Sequence, residues 1–267
     1  MTSTPANGVA AIFDLDKILR SSVTLLMLSK GLDRTDRAEN LVAMAGSKAT
    51  APARRRAGLD EPANKQAPVF GAIAGRSTAE VQRWARQLAT REILPRVHPQ
   101  VVEMIARAHQ SGMRTILVTG APDVVARAVA ATLDIDDVAA TIPEIDDGGR
   151  YTGRPEVGLL EGPTKLAAVE QIAQTQGVDL ARSHVYSDQL GSPELLDAAG
   201  FPHVINPTGA TRGKALERGW AIHEIRSVHW LWVAELPGLG TLGALGAGFI
   251  GGLAVGGRRR RSGSSVR

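Results

Sequence analysis

At 267 residues, 43% of them apolar, the chain can hold one α/β domain plus an insertion around a sizeable core. It has no cysteine, which excludes disulfides and thiolate metal sites. The net charge of +4 comes largely from two local runs, Arg54-Arg55-Arg56 and Arg258 to Arg261, rather than from a patterned basic face, so no nucleic acid is expected as a partner.

Met1 to Gly8 carries no basic n-region, and the apolar run that follows meets acid within five residues. This argues against a signal peptide and for a cytoplasmic catalytic part. The run Val9-Ala10-Ala11-Ile12-Phe13 leads into Asp14-Leu15-Asp16-Lys17. Unbroken apolar residues predict a strand buried on both faces, as in a parallel sheet covered by helices. Strand alternation would send Asp14 and Asp16 to the same side at its end. Two carboxylates that close repel each other unless a cation lies between them, so the pair asks for a divalent metal.

From about Ser21 to Arg96 the composition turns to Ala, Arg, Lys and Gln at helical spacing, and a small helical insertion is expected. Its middle, Ala45 to Gln66, is poor in large apolar residues and reads as a loop. Ser77-Thr78-Ala79-Glu80 is a capping box that opens a helix. Pro99 to Ser111 reads as an amphipathic helix with Val101, Val102, Ile105 and Ala108 on its inner face. A second buried strand, Thr115 to Val118, ends in Thr119-Gly120-Ala121, and Pro122-Asp123 starts another helix. A hydroxyl and exposed backbone N–H groups beside a helix N-terminus would form an anion site.

Asp136 to Tyr151 should hold short strands and the Asp147-Gly148-Gly149 turn. Gly162-Pro163-Thr164-Lys165 leads into a helix, where a first-turn lysine opposes the helix dipole; a surface lysine is the commoner explanation, and a neighbouring phosphate would also account for it. The strand His184 to Ser187 delivers Asp188 at its end, Ser192-Pro193 opens the next helix, and His203-Val204-Ile205 reads as the last strand. Strands alternating with helices predict a doubly wound α/β parallel sheet. Ligands of such sheets bind at the carboxyl ends of the strands, where Asp14, Thr119 and Asp188 all fall.

The order Asp14-x-Asp16, Thr119, Lys165, Asp188 resembles the haloacid dehalogenase superfamily, in its phosphoserine-phosphatase-like branch with a helical cap inserted after the first motif. The similarity extends to Tyr151-Thr152-Gly153, Asn206-Pro207 and Arg218-Gly219-Trp220, and covers roughly Ala10 to Ile225. The resemblance implies a Rossmann-like core over residues 1–20 and 97–225, with the cap over 21–96. It implies Asp14 as the nucleophile that takes the phosphoryl group, and Asp16 as general acid and then general base. Thr119 and the Gly120 N–H would hold phosphate oxygens, and Lys165 would neutralise Asp14 and the transferring group. Asp188, Asp14 and the Asp16 carbonyl would bind Mg²⁺. The substrate would be a small phosphorylated molecule, phosphoserine-like or lipid-related. Chemistry concurs: a carboxylate attacking a phosphate dianion needs its charge masked, and magnesium prefers hard oxygen ligands.

Two positions depart from the family. Ile18 replaces a threonine hydroxyl, worth about 0.5 to 1.5 kcal/mol or roughly tenfold in rate. Ser192 stands where the family carries a second acid that supports the metal site, a kind of loss that typically costs about 10–100-fold. A catalytically weakened relative that binds a phosphorylated ligand or partner is therefore the rival reading.

Residues 226–257 form a linker and a glycine-rich apolar segment, and 258–267 a basic tail. Leu236 to Gly257 holds no charge and has the length of a membrane span, with Trp230 and Trp232 suited to an interface. Its glycine content makes a flexible tail the alternative, and four terminal arginines fit a segment lying on the inner surface better than one crossing it. Membrane association of a cytoplasmic domain through residues 236–257 is the expectation, in either geometry.

Overall fold

A computed structural model describes residues 8–19, 23, 26, 27, 67–187 and 193–225. The expected loop at 45–66, Asp188, Ser192 and the apolar segment 236–257 lie outside these residues. The chain divides into residues 1–225 and 226–267, and only the first unit is described. Among the described residues no helix is long and apolar enough to cross a membrane.

Strand β1, Ala10–Asp14, is buried at every position, as its unbroken apolar run requires. It lies inside a sheet of strand order β3-β2-β1-β6-β7-β8, whose pairings are all parallel. The other strands of this sheet are β2 (Arg114–Pro122), β3 (Asp137–Thr141), β6 (His184–Ser187), β7 (Phe201–Ile205) and β8 (Ala221–His223). The antiparallel pair β4 (Pro143–Ile145) and β5 (Tyr151–Pro155) stands apart from it. After β1 the chain builds outward through β2 and β3, then returns to the other side of β1 for β6, β7 and β8. The reversal makes β1 the switch point of the sheet, with β2 and β6 as its neighbours.

Each face of β1 feeds a different apolar cluster. Ala11 and Phe13 join Leu117, Val125, Val129, Val101 and Ile105, while Ala10 and Ile12 join Ile116, Val169, Val185, Leu195 and Val204. The sequence-predicted strands extend further than expected. β2 continues through Thr119 to Pro122, and β8 adds a strand beyond His203 to Ile205.

Among the helices, α1 (Leu15–Ile18) follows β1 with no intervening loop. In the insertion, α2 (Ala67–Gly71) precedes α3 (Thr78–Leu88), which continues through a wide π-helical turn, Ala89–Ile93, and a 3₁₀ turn, Leu94–Arg96. Ser77 caps α3 as its capping box predicts, its hydroxyl accepting from the Glu80 N–H at 3.3 Å. The ends of the insertion are tied: Leu19 bridges Val97, and the His98 N–H donates to the Ile18 carbonyl at 3.1 Å. Ala85, Leu88, Ala89 and Ile93 belong to the same apolar cluster as Phe13 and Leu117, so the insertion shares the core of the sheet. Gly153 on β5 has φ 85°, and a Cβ there would stand 2.8 Å from Ala74, so only glycine lets the hairpin approach the insertion this closely.

Helix α4 (Pro99–Gln110) buries Val101, Ile105 and Ala108, but Val102 is turned out and 45% exposed. The buried stripe is thus narrower than the sequence suggested. The remaining helices are α5 (Asp123–Leu133), α6 (Pro163–Gln176), α7 (Pro193–Ala198) and α8 (Gly209–Glu217). Pro122 stands just before α5 as the last residue of β2 rather than inside its first turn.

A row of histidines crosses the β6-β7-β8 side of the sheet. Nδ1 of His184 and Nε2 of His203 lie at hydrogen-bond distance, 2.9 Å, as do Nδ1 of His203 and Nε2 of His223 at 2.9 Å. Tyr186 stacks on His203 with centroids 4.4 Å apart, and on its other side stacks on Phe13 at 4.8 Å. Burial lowers the pKa of all three imidazoles, and His203, between the other two, falls to about 4. In the unfolded chain these rings titrate near 6.5. Stability from the row is complete above that value and is lost as pH falls toward 4, because the unfolded chain takes up protons that the folded one refuses. Allowing for solvent at a partly exposed ring, the loss due to His203 should be about 1–2 kcal/mol. Urea unfolding at stepped pH measures it, and His203→Phe, which keeps the stack but does not titrate, should flatten the profile between pH 6.5 and 4.

Candidate active site

The site forms at the carboxyl end of β1. Asp14 is the last residue of that strand and also the residue before α1, with extended backbone angles of φ −77° and ψ 118°. The strand therefore stops one residue after Phe13 and the chain turns at once into a helix. This corrects the expectation that Asp14 and Asp16 leave one strand on the same side. Asp16 sits in the first turn of α1, where its charge suits the helix dipole, and its Oδ1 accepts from the Val23 N–H at 3.2 Å.

Asp14 is buried, at 1% exposure. Its Oδ2 accepts two hydrogen bonds, one from Lys165 Nζ at 2.9 Å and one from Ser187 Oγ at 2.9 Å. Its other oxygen, Oδ1, is buried with no hydrogen-bond partner among the described residues. A buried charged oxygen without a partner is costly, so Oδ1 faces the place where a ligand or cation belongs.

Lys165 reaches Asp14 because of how α6 begins. Gly162 precedes the helix at φ 52° and ψ −125°, a conformation that only glycine adopts cheaply, and Pro163 starts the first turn. The third helical residue, Lys165, is then buried to 6% exposure, with its ammonium on Asp14. The unfavourable dipole position noted in the sequence is offset by this carboxylate rather than by phosphate alone.

On β2, Val118 is the register partner of Asp14, so Thr119 emerges one residue beyond Asp14. Thr119, Gly120 and Ala121 are buried strand residues and do not form the exposed strand-to-helix turn that the sequence suggested. The reason is a bulge: the pairing of β2 with β3 shifts register between Thr119 and Pro122. Within it the Thr119 hydroxyl accepts from the Ala121 N–H at 3.1 Å, and the Gly120 carbonyl accepts from Thr141 Oγ1 at 2.9 Å. The bulge locks both residues beside β1 in a fixed orientation.

The structure thus brings Lys165 directly onto Asp14, with Asp16 two residues on in the first turn of α1 and Thr119 on the adjoining strand. Ile18, the position of the lost hydroxyl, is fully buried in the apolar cluster with Phe13 and Leu117. Ser187 was not singled out from the sequence. No local sequence signal marks it, because its place beside Asp14 follows from the pairing of β6 with β1.

For a divalent cation, the described donors are the carboxylate of Asp14 and the backbone carbonyl of Asp16, hard oxygens that suit magnesium. Among the described residues no three His, Cys, Asp or Glu side chains converge on a common metal position. Asp188, the third acid of the sequence reading, lies outside them.

Comparison with known proteins places the chain in a family. Residues 11–191 match the model of the haloacid dehalogenase-like hydrolases. The inhibition of morphological differentiation protein of Streptomyces azureus is 28% identical over 256 residues, covering 89% of this chain and 88% of that protein. A phosphoserine phosphatase of Mycobacterium tuberculosis is 30% identical over 190 residues, 71% of this chain but only 60% of the relative's length. Among solved structures, a protein of unknown function from Bordetella pertussis superposes with a TM-score of 0.69 at 27% identity, covering 81% of this chain and 98% of that one. A phosphoserine phosphatase solved as a phospho-aspartyl intermediate analogue shares the fold, with a TM-score of 0.53 at 15% identity over 80% of this chain and 91% of that one. The chain belongs to the haloacid dehalogenase-like hydrolases.

Proposed function

We propose that the protein is a Mg²⁺-dependent phosphomonoester hydrolase working through an aspartyl phosphate on Asp14. One observation carries the reading: a buried carboxylate has one oxygen held by Lys165 and Ser187 and the other without a partner among the described residues. An oxygen kept uncommitted inside a site is what a nucleophile requires.

In the first half-reaction Oδ1 of Asp14 attacks phosphorus, and the bond from phosphorus to the substrate oxygen breaks. Asp16, in its protonated form, gives its proton to the departing alkoxide. In the second, Asp16 takes a proton from water, which attacks the phosphoryl group and releases Asp14 and inorganic phosphate. Lys165 holds the negative charge of Asp14 and of the transferring group throughout. Thr119 and the Gly120 N–H hold phosphate oxygens on the β2 side. Asp14, Asp16 and Asp188 would hold Mg²⁺, which when bound screens the charge that otherwise keeps a phosphate dianion from a carboxylate.

The substrate is a small phosphorylated molecule. The phosphoserine phosphatase relative favours a phosphoserine-like compound, whereas association with a membrane through residues 236–257 favours a lipid-related phosphoester. The rival, a weakened relative that binds a phosphorylated ligand or partner, draws support from Ile18, whose side chain is wholly given to the core.

Hydrolysis of p-nitrophenyl phosphate by the purified full chain separates the two readings. The phosphatase should turn it over with Mg²⁺, lose activity in excess EDTA and regain it when Mg²⁺ is restored. Asp14→Asn should abolish turnover, whereas a protein that binds without catalysis shows none in any condition. Lys165→Met, which removes the charge beside Asp14, should lower kcat by about 10² to 10³, measured in the same assay. For the apolar segment, the full chain should stay with membranes through a carbonate wash, and truncation after residue 235 should release it.

A further inference from the structure

We infer that Ser187 is a positioning residue for the nucleophile, its hydroxyl fixing which oxygen of Asp14 faces the substrate. The inference rests on the phosphotransfer reading above and adds to it a residue that no sequence motif named.

The terminal torsion of an aspartate is broad and nearly two-fold, so a half-turn exchanges Oδ1 and Oδ2. A lysine ammonium is a compact charge on a flexible stem and can pair with either oxygen. Lys165 alone would therefore hold Asp14 in place without choosing between its oxygens. Ser187 breaks that symmetry. It is fully buried at the last position of β6, and the pairing of Tyr186 with Phe13 sets its backbone directly beside that of Asp14. A side chain with one rotatable bond before its oxygen, on a backbone fixed by the sheet, can donate to only one carboxylate oxygen.

Lys165 and Ser187 both meet Oδ2 at 2.9 Å, and Oδ1 is the oxygen left without a partner. A hydroxyl suits this task better than a second cation. It orients the carboxylate through a charge-assisted hydrogen bond but adds no positive charge to draw density from the attacking oxygen. Ser187 thus acts on the step in which the aspartyl phosphate forms. Its breakdown, in which water attacks phosphorus under Asp16, does not need a particular carboxylate oxygen to be presented.

Rapid acid quench of the full-length protein with Mg²⁺ and p-nitrophenyl phosphate separates the two steps, since the phosphoryl-protein can be counted as it forms and decays. Ser187→Ala should slow formation by about tenfold to a hundredfold, with the decay rate and KM within about twofold of wild type. Ser187→Thr, which keeps the hydroxyl, should restore formation to within a few-fold. Formation unchanged in Ser187→Ala overturns the inference, and so does equal slowing of both steps, which marks a general structural role. Where Ser187→Ala does not fold, as judged by its thermal midpoint, Ser187→Thr decides, and a folded threonine variant that forms no phosphoryl-protein overturns the inference. A wild-type protein that forms no phosphoryl-protein and turns over no substrate overturns the phosphotransfer reading instead.

Discussion

The contact between Asp14 and Lys165 joins residues 151 positions apart and lies almost wholly out of water. Removing two ions from solvent costs several kcal/mol each before their attraction returns any of it, and an apolar pair of the same size is often as stable or more so. Stability alone therefore gives little reason for this pair. Its geometry gives a better one, because the ammonium and a hydroxyl both load one carboxylate oxygen and leave the second, buried one without a partner among the described residues. The glycine before α6, the proline that starts it and the packing of α6 against β2 and β3 serve to deliver Lys165 to that point.

The sheet topology explains why the site is where it is. A strand at the switch point has its neighbours leaving in opposite directions, so nothing crosses over its carboxyl end and a crevice opens there. In this chain β2 brings Thr119 to one side of the crevice and β6 brings Ser187 to the other, each placed by register with β1. Parallel pairing matters here: the ends of all three strands point the same way, so residues from three distant stretches of sequence meet at one rim.

Much of this was legible before any coordinates. An unbroken apolar run ending in acid reads as a buried parallel strand, and Asp14, Thr119 and Lys165 could each be placed at an element boundary from local chemistry alone. What misled was local geometry governed by partners far away in sequence. Alternation placed Asp16 on the strand, but the chain enters α1 immediately after Asp14, and no residue pattern marks that abrupt change. Thr119 to Ala121 looked like a turn because glycine and a following proline suggest one, yet pairing with β3 keeps them in the strand as a bulge. Ser187 was passed over because its role exists only in register with β1, and register is a property of two strands rather than of one. The histidine row escaped notice for the same reason: His184, His203 and His223 are widely spaced in sequence and adjacent only across β6, β7 and β8.

The insertion after α1 bears on how a substrate could be chosen. Ala85, Leu88, Ala89 and Ile93 lie in one apolar cluster with Phe13, Leu117 and Val125, and the stem of the insertion is closed by the pairing of Leu19 with Val97. Lifting α3 away as a rigid unit would return those side chains to water, at roughly 25 cal/mol for each Å² exposed. The π-helical turn that follows α3 widens the helix at the point where it meets the core, letting Ala89 and Ile93 stay buried while the chain heads back toward α4. Helix α3 is therefore held by the same apolar cluster that holds α4 and α5. In the proposed reaction, selection of one phosphorylated molecule over another would then fall to side chains set on this described frame, which is bound by the same apolar contacts that hold Phe13, and with it Asp14, in place.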